Sequence, residues 1–143
     1  MTGTSTLAAV LSALVLAAAT PDPIAFKELD KGAKSAIEHS REVAVRTAAE
    51  WKTLCEQHAE GRRCQSVNFS KSMVVGVFLG MRPTTGYGVE IASIERDGNA
   101  LVVTYRELVP LPDAMMPQVL TAPFVLVTID QFAGPVSFVR AKE

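Results

Sequence analysis

Hydrophobic and polar residues are distributed along the chain in short segments that are typical of β-strands. Residues 72–79 and 124–129 are apolar at both parities, so each segment predicts a central strand that is covered on both faces. Residues 41–46 alternate instead, with Val43 and Val45 on one face, and predict a half-buried strand. This pattern favours a mostly antiparallel β sheet or sandwich.

A tight hairpin is predicted in the second half of the chain. Its strands are residues 89–95 and 100–106, and Asp97-Gly98 supplies the positive φ angles of the turn. The second strand carries three large residues on one face: Leu101, Val103 and Tyr105. Ile91 and Ile94 of the first strand would point to opposite faces of a regular strand, so we expect a bulge near Ser93.

Shorter strands are predicted near both ends of the domain. Residues 26–29 and 34–38 flank the turn residues 30–32 and predict a second hairpin. Near the other end, a Gly-Pro pair precedes residues 136–139, which predict a last short strand.

One helix interrupts the strands. Thr47 and Glu50 have the spacing of a capping box, and the helix that they begin is expected to run to about Ala59, with Gly61 as a stop signal. One face carries residues spaced by three and four positions: Trp51, Leu54, Cys55 and His58. We expect this helix to pack across the sheet, which makes the fold class α+β.

An apolar segment at the start of the chain is typical of a signal peptide. Residues 7–19 consist of Leu, Ala and Val with a single Ser12, a run too short to span a bilayer. Small residues at 17–19 suit cleavage, so residues 1–19 are predicted to be a signal peptide and residues 20–143 a single domain. The first six residues contain no Lys or Arg, and an uncleaved anchor is the alternative.

Composition narrows the possible partners. The 143 residues include 14 Lys and Arg against 15 Asp and Glu, a net charge of -1, and 48% of them are apolar. A chain of this length holds one hydrophobic core, and its composition excludes a disordered protein. Because no basic field is present, we expect no nucleic-acid partner. We also expect no stable membrane insertion after signal cleavage.

The two cysteines, Cys55 and Cys64, predict one disulfide in an exported protein. The alternative is a buried thiol on the helix together with an unrelated exposed thiol. A metal site is not expected, because two cysteines with the lone His39 and His58 do not form a ligand cluster of familiar spacing. No cofactor motif is present in the sequence either.

Catalytic residues are not expected. The chain lacks a Gly-x-Ser-x-Gly nucleophile elbow, and His39 and His58 are better explained as a solvated turn residue and a partly packed helix residue. Glu90 and Glu107 could face each other across the sheet, but such acids usually pair with a base or line an exposed face. The sequence therefore predicts a protein that is not an enzyme.

Two loops have unusual compositions. Residues 80–88 place a proline at a turn start and glycines where a positive φ is needed, without the Lys and repeated glycines of a phosphate-binding loop. Residues 109–117 contain three prolines and the pair Met115-Met116. The first loop is interpreted equally well as a binding surface or as a turn that shapes the fold, whereas for the second the shaping role is favoured.

The chain resembles the PrcB C-terminal domain family of protease complex subunits over about residues 68–139. The segments that carry the resemblance are residues 67–75, 80–87 and 120–124. The most specific element of this resemblance is a run of six residues, which is also the candidate partner-binding site. Its members are Arg82, Pro83, Thr84, Thr85, Gly86 and Tyr87. The resemblance implies an exported, non-catalytic accessory protein that binds another exported protein, such as a protease. Asn68 and Thr85 depart from the family pattern, where Asp and Gly are usual.

Two alternative functions follow from the same loop and fold. Residues 83–87 also look like the first inhibitory loop of chagasin-type cysteine peptidase inhibitors, but their later Arg-Pro-Trp loop is absent, since Trp51 on the helix is the only tryptophan. The second alternative is a pocket for a hydrophobic small ligand in a half-open sandwich.

Overall fold

The computed structural model describes residues 20–60 and 62–142, together with positions 3, 10 and 12. The predicted signal peptide, residues 1–19, therefore lies outside the described residues except at those three positions, and it stays a prediction. Within the described part, the elements in chain order are β1 (Asp22–Pro23), β2 (Lys27–Gly32), β3 (Arg41–Val45), α1 (Ala48–Ala59), β4 (Ser72–Phe78), β5 (Gly88–Asp97), β6 (Ala100–Leu108), β7 (Phe124–Asp130) and β8 (Val136–Arg140).

The strands form two sheets of four, in the orders β1-β5-β6-β8 and β2-β7-β4-β3. All neighbours are antiparallel except β6 and β8, which run parallel. A cluster of buried side chains from β4, β5, β6 and β7 fills the space between the sheets. The expected α+β sandwich with one packed helix is confirmed.

The two continuously apolar segments are the central strands of their sheet. β4 lies between β3 and β7, and β7 lies between β4 and β2. On one face of β4, Met73 and Val75 contribute to the core between the sheets, while Val74 and Phe78 on the other face contact the cluster beneath α1. Burial on both faces explains why neither strand alternates in hydrophobicity.

The helix α1 begins as its sequence predicts. The Glu50 backbone N–H donates to Thr47 Oγ1 at 3.2 Å, which is the N-cap bond. The Glu50 carboxylate accepts from the Arg46 backbone N–H at 3.4 Å, one residue before the position that a capping box requires. The helix ends at Ala59, and Glu60 caps it with a left-handed φ of 46°; the predicted stop, Gly61, lies outside the described residues.

The helix covers the outer face of the second sheet. Trp51 is 9% exposed and Leu54 is 3% exposed, and both lie in a cluster with Phe78 of β4. The segment after the helix is attached to it by the Cys55–Cys64 disulfide, whose Cα atoms are 6.1 Å apart. The predicted disulfide is therefore confirmed. No helix among residues 20–60 and 62–142 is long and apolar enough to cross a membrane.

The predicted hairpin around residues 30–32 is wrong. These residues belong to β2, which pairs with β7 along its whole length, with a register irregularity between Glu28 and Asp30. Residues 34–38 form no strand; Lys34 makes an isolated bridge to Ala122, and the chain then passes beneath α1. A local turn signal was outweighed because β7 offers this segment a complete strand partner.

The β5–β6 hairpin and its bulge are confirmed. The register shifts between Ile91 and Ser93, as the opposite parities of the isoleucines predict. The turn differs in detail, because Asp97 remains in the strand, paired with Ala100, and only Gly98 has a positive φ, of 63°. A single positive φ at the first loop residue is the requirement of a type II′ turn.

Candidate protein-binding site

The loop of residues 80–87 follows β4 and leads into β5. Gly80 has a φ of 82°, and a side chain there would approach the Ser40 backbone nitrogen to 2.9 Å. Further along, Arg82 forms a two-bond backbone bridge with Thr121, with N–O distances of 2.7 and 2.9 Å. This loop is therefore fixed at its start by close packing and backbone hydrogen bonds.

The side chain of Arg82 is directed inward. Its Nε donates to Glu107 Oε1 at 2.6 Å, and its Nη1 donates to the carbonyls of Leu79 and Met81 at 3.1 and 3.0 Å. The second Glu107 oxygen accepts from Arg140. Only 22% of the Arg82 side chain and 9% of the Glu107 side chain are exposed. Arg82 thus anchors the loop, although the sequence suggested a side chain displayed toward a partner.

Glu107 is a residue whose role the sequence analysis missed. It is buried, while Glu90, the other acid considered, is exposed enough to form a surface ion pair with Arg106 at 3.1 Å. The sequence contains a signal for this burial, because Glu107 lies on the same face of β6 as the buried residues Val103 and Tyr105. A carboxylate at an inward position predicts a buried cationic partner.

The middle of the loop contacts the Pro-rich connector, residues 109–123, which joins β6 to β7. The Thr85 backbone N–H donates to the Pro117 carbonyl at 3.2 Å, and Thr121 Oγ1 donates to the Thr84 carbonyl at 2.9 Å. Gly86 has a φ of 93°, and a side chain there would come within 2.5 Å of Met116 Cε. The two loops are therefore packed together at one end of the domain.

This end of the domain exposes an apolar surface. Seven of the ten large hydrophobic residues that are exposed in the described part of the chain lie here, and we call them the loop-end surface: Met81, Leu108, Val109, Leu111, Met115, Val119 and Leu120. The largest exposures are 99% for Met115 and 78% for Leu111. Concentrated exposure of this kind marks a binding site more often than isolated surface hydrophobics do.

The six predicted partner-binding residues divide by their placement. Pro83 and Gly86 are exposed, while Arg82, Thr84, Thr85 and Tyr87 are partly buried. Pro83 and Tyr87 therefore offer side-chain surface beside the apolar connector, whereas Arg82 and the two threonines mainly hold the loops in place. The structure adds the high exposure of the connector residues Leu111 and Met115, of which the methionine pair was the available signal in the sequence.

Of the two histidines considered as catalytic candidates, His39 is exposed and His58 is buried on α1. The His58 ring packs against Phe78 and Phe124, with centroid separations of 5.4 and 4.3 Å. Ser35 Oγ lies 2.7 Å from its Nδ1. Burial lowers the pKa of His58, the nearby Asp30 carboxylate raises it in part, and Arg62 lowers it further.

We expect the free energy of unfolding to fall as the pH drops below about 6.5, the ordinary pKa of histidine. The unfolded chain takes up a proton there, whereas the folded chain resists protonation of His58 until the pH reaches its lowered pKa. Urea denaturation at about pH 7.5 and about pH 5 measures the effect. His58→Gln retains a hydrogen-bonding group beside Ser35 and should have a shallower pH dependence; equal pH dependence in both proteins would contradict the prediction.

In a comparison with known proteins, one family model matches part of the chain. Residues 73–130 match the family described as PrcB C-terminal, which confirms the resemblance over the segment from β4 to β7 that includes both loops. No curated protein and no solved structure matches the chain. The five-residue likeness to chagasin-type inhibitors receives no support from these comparisons.

Proposed function

We propose, from the premise that residues 73–130 match the PrcB C-terminal family, that this protein is an exported, non-catalytic accessory domain that binds another exported protein. The loop-end surface is the proposed contact. The observation that carries the proposal is the concentration of exposed apolar side chains on the Pro-rich connector, which is packed against the loop of residues 80–87. Such a surface gains free energy when a partner removes it from water.

The rigidity of the two loops supports a binding role. Internal hydrogen bonds join Ala114 N–H to the Leu111 carbonyl at 2.9 Å and Val119 N–H to the Pro117 carbonyl at 2.9 Å. Prolines restrict the same connector further. Because these backbones are already ordered, binding would cost less conformational entropy than the ordering of a flexible loop.

The Arg82–Glu107 ion pair supports the proposal in a different way. It attaches residues 80–87 to β6, so the position of Pro83 and Tyr87 relative to the connector is set by the sheet. A surface held by the framework presents one shape to its partner. This arrangement suits a stable protein complex better than a loop that must adapt to many ligands.

Export and a protease as the partner rest on separate observations. The Cys55–Cys64 disulfide is typical of proteins that fold in an oxidising compartment outside the cytosol. The protease is suggested by the family, which comprises subunits of protease complexes. Catalysis by this chain is not part of the proposal; its partner would contribute any peptidase activity.

We expect Leu111→Ser combined with Met115→Ser to reduce partner capture by about tenfold or more, because both side chains are highly exposed and apolar. The immobilised domain is incubated with envelope extract, and bound proteins are quantified by mass spectrometry. Phe26→Ser is the matched control, since Phe26 is a 38% exposed hydrophobic residue outside the loop-end surface. Tyr87→Ala then tests the loop of residues 80–87 by itself.

The design separates this proposal from the inhibitor alternative. A partner captured by the wild type and by Phe26→Ser, but lost from the connector variant, would support the loop-end surface, and a protease among such partners would support the family assignment. Equal capture by all variants would contradict it. Inhibition of a papain-like peptidase by the wild-type protein, abolished by Tyr87→Ala, would favour a chagasin-like role instead.

A further inference from the structure

A separate cavity of about 430 Å³ lies at the C-terminal end of α1. Its walls are the end of β2 and the following residues, the segment 62–64 after the helix, and the ring of Phe124. Cys64 lines it, so the disulfide to Cys55 holds one wall in position. The cavity involves none of the loop-end residues.

Positive charge is concentrated around this cavity. Four of its lining residues are cationic, namely Lys31, Lys34, Arg62 and Arg63, and one, Asp30, is acidic. The Asp30 carboxylate accepts a hydrogen bond from the Lys31 backbone N–H at 2.8 Å. In a chain with a net charge of -1, this is a local excess of cations, and their mutual repulsion would be relieved by a bound anion.

The guanidinium of Arg62 compensates the helix end, where backbone carbonyls would otherwise repel an anion. Its Nε donates to the Ala59 carbonyl at 3.2 Å, and its Nη2 donates to the Lys34 carbonyl at 3.1 Å. The His58 carbonyl accepts from the Ala36 backbone N–H at 2.9 Å. Two carbonyls at the electronegative end of α1 are therefore hydrogen-bonded, and Arg62 joins two walls of the cavity.

A buried imidazole also lines the cavity. His58 is 3% exposed, and its Nδ1 is paired with Ser35 Oγ. Ser35 Oγ also accepts from the Ile37 backbone N–H at 3.0 Å, so the hydroxyl is held beside the ring. These contacts fix the imidazole in the wall of the cavity.

We propose that this cavity binds one oxyanion group, a phosphate or a carboxylate, carried by a small molecule. The side chains of Lys34 and Arg63 supply neutralising charge, the imidazole of His58 in the cavity wall offers a further hydrogen-bond donor, and the Phe124 ring contacts the apolar part of the ligand. Hydrogen bonds from charged donors to an oxyanion are among the stronger polar contacts in proteins. The site shares Lys34 and Arg62 with a neighbouring pocket that Met81 and Leu120 of the loop-end surface line, but the proposal does not depend on that surface.

The test is a titration of the wild-type protein with inorganic phosphate, and separately with acetate, at constant ionic strength. The imidazole signals of His58 are followed by NMR. At least one anion should saturate with a dissociation constant on the order of 1 mM and shift the His58 signals. Saturation by phosphate would indicate a ligand with a phosphate group, and saturation by acetate would indicate a ligand with a carboxylate. Binding should also raise the pKa of His58, because a nearby negative charge favours the protonated ring.

Charge-matched variants locate the binding. Lys34→Gln combined with Arg63→Gln removes two cations from the cavity, and we expect the affinity to fall about tenfold or more. Lys52→Gln combined with Lys71→Gln removes the same charge from exposed positions outside the cavity and should leave the affinity unchanged. Equal losses in the two variants, or His58 signals that do not move with either anion, would overturn the proposal.

Discussion

Replacement of Trp51 by alanine is expected to lower the free energy of unfolding by about 3 to 5 kcal/mol. The indole is 9% exposed and packs with Val74 and Phe78 between α1 and the sheet, so its removal leaves a cavity. Its Nε1–H also donates to the Gln65 carbonyl at 3.0 Å, which would lose its partner. Urea denaturation monitored by circular dichroism measures the change.

Lys52→Ala is the control for this substitution. Lys52 is the next residue on α1 and is exposed, so its replacement should change the free energy of unfolding by less than about 0.5 kcal/mol. A loss below about 1 kcal/mol for Trp51→Ala would show that the helix does not dock through this side chain.

Glu107→Ala is expected to lower the free energy of unfolding by about 2 to 3 kcal/mol, because it leaves the partly buried Arg82 guanidinium without its carboxylate. The expected loss is smaller than for a fully buried ion pair, since the other partner, Arg140, is 53% exposed and can be solvated. The same urea experiment applies. Amide hydrogen exchange of residues 80–87 should also increase, since Glu107 attaches that loop to β6.

Glu90→Ala provides a matched control on the neighbouring strand. Glu90 pairs with Arg106, but both side chains are exposed, at 39% and 50%, so the loss should stay below about 1 kcal/mol. If Glu107→Ala and Glu90→Ala were equally mild, the buried ion pair would not stabilise the loop, and the proposed display of Pro83 and Tyr87 would lose its structural basis.

The elements that sequence predicted well are those whose signals are local or follow from burial. Continuous hydrophobicity placed β4 and β7 in the centre of a sheet, Thr47 marked the helix start, and the opposite parities of Ile91 and Ile94 marked the bulge. Each of these signals is contained in a window of a few residues. The structure therefore agrees with them closely.

Long-range partners were the part that sequence could not supply. Nothing near Lys27 indicates that it pairs with Thr128, or that Val136 begins a strand parallel to β6. The candidate site shows the same limit, since Arg82 was interpreted without its carboxylate partner. Residue type predicted a loop suited to binding, but only the fold determined which side chains support that loop and which face solvent.

The pairing of β2 with β7 also has a consequence for the order of folding. Lys27 lies near the start of the described domain and Thr128 near its end, so this sheet cannot be completed until nearly the whole chain is available. Pairings of such large sequence separation form slowly, because a long loop must close, at a cost in conformational entropy, before the first stabilising contact forms. We therefore expect the backbone hydrogen-bonding groups of β2 to lack their strand partner until β7 has been synthesised.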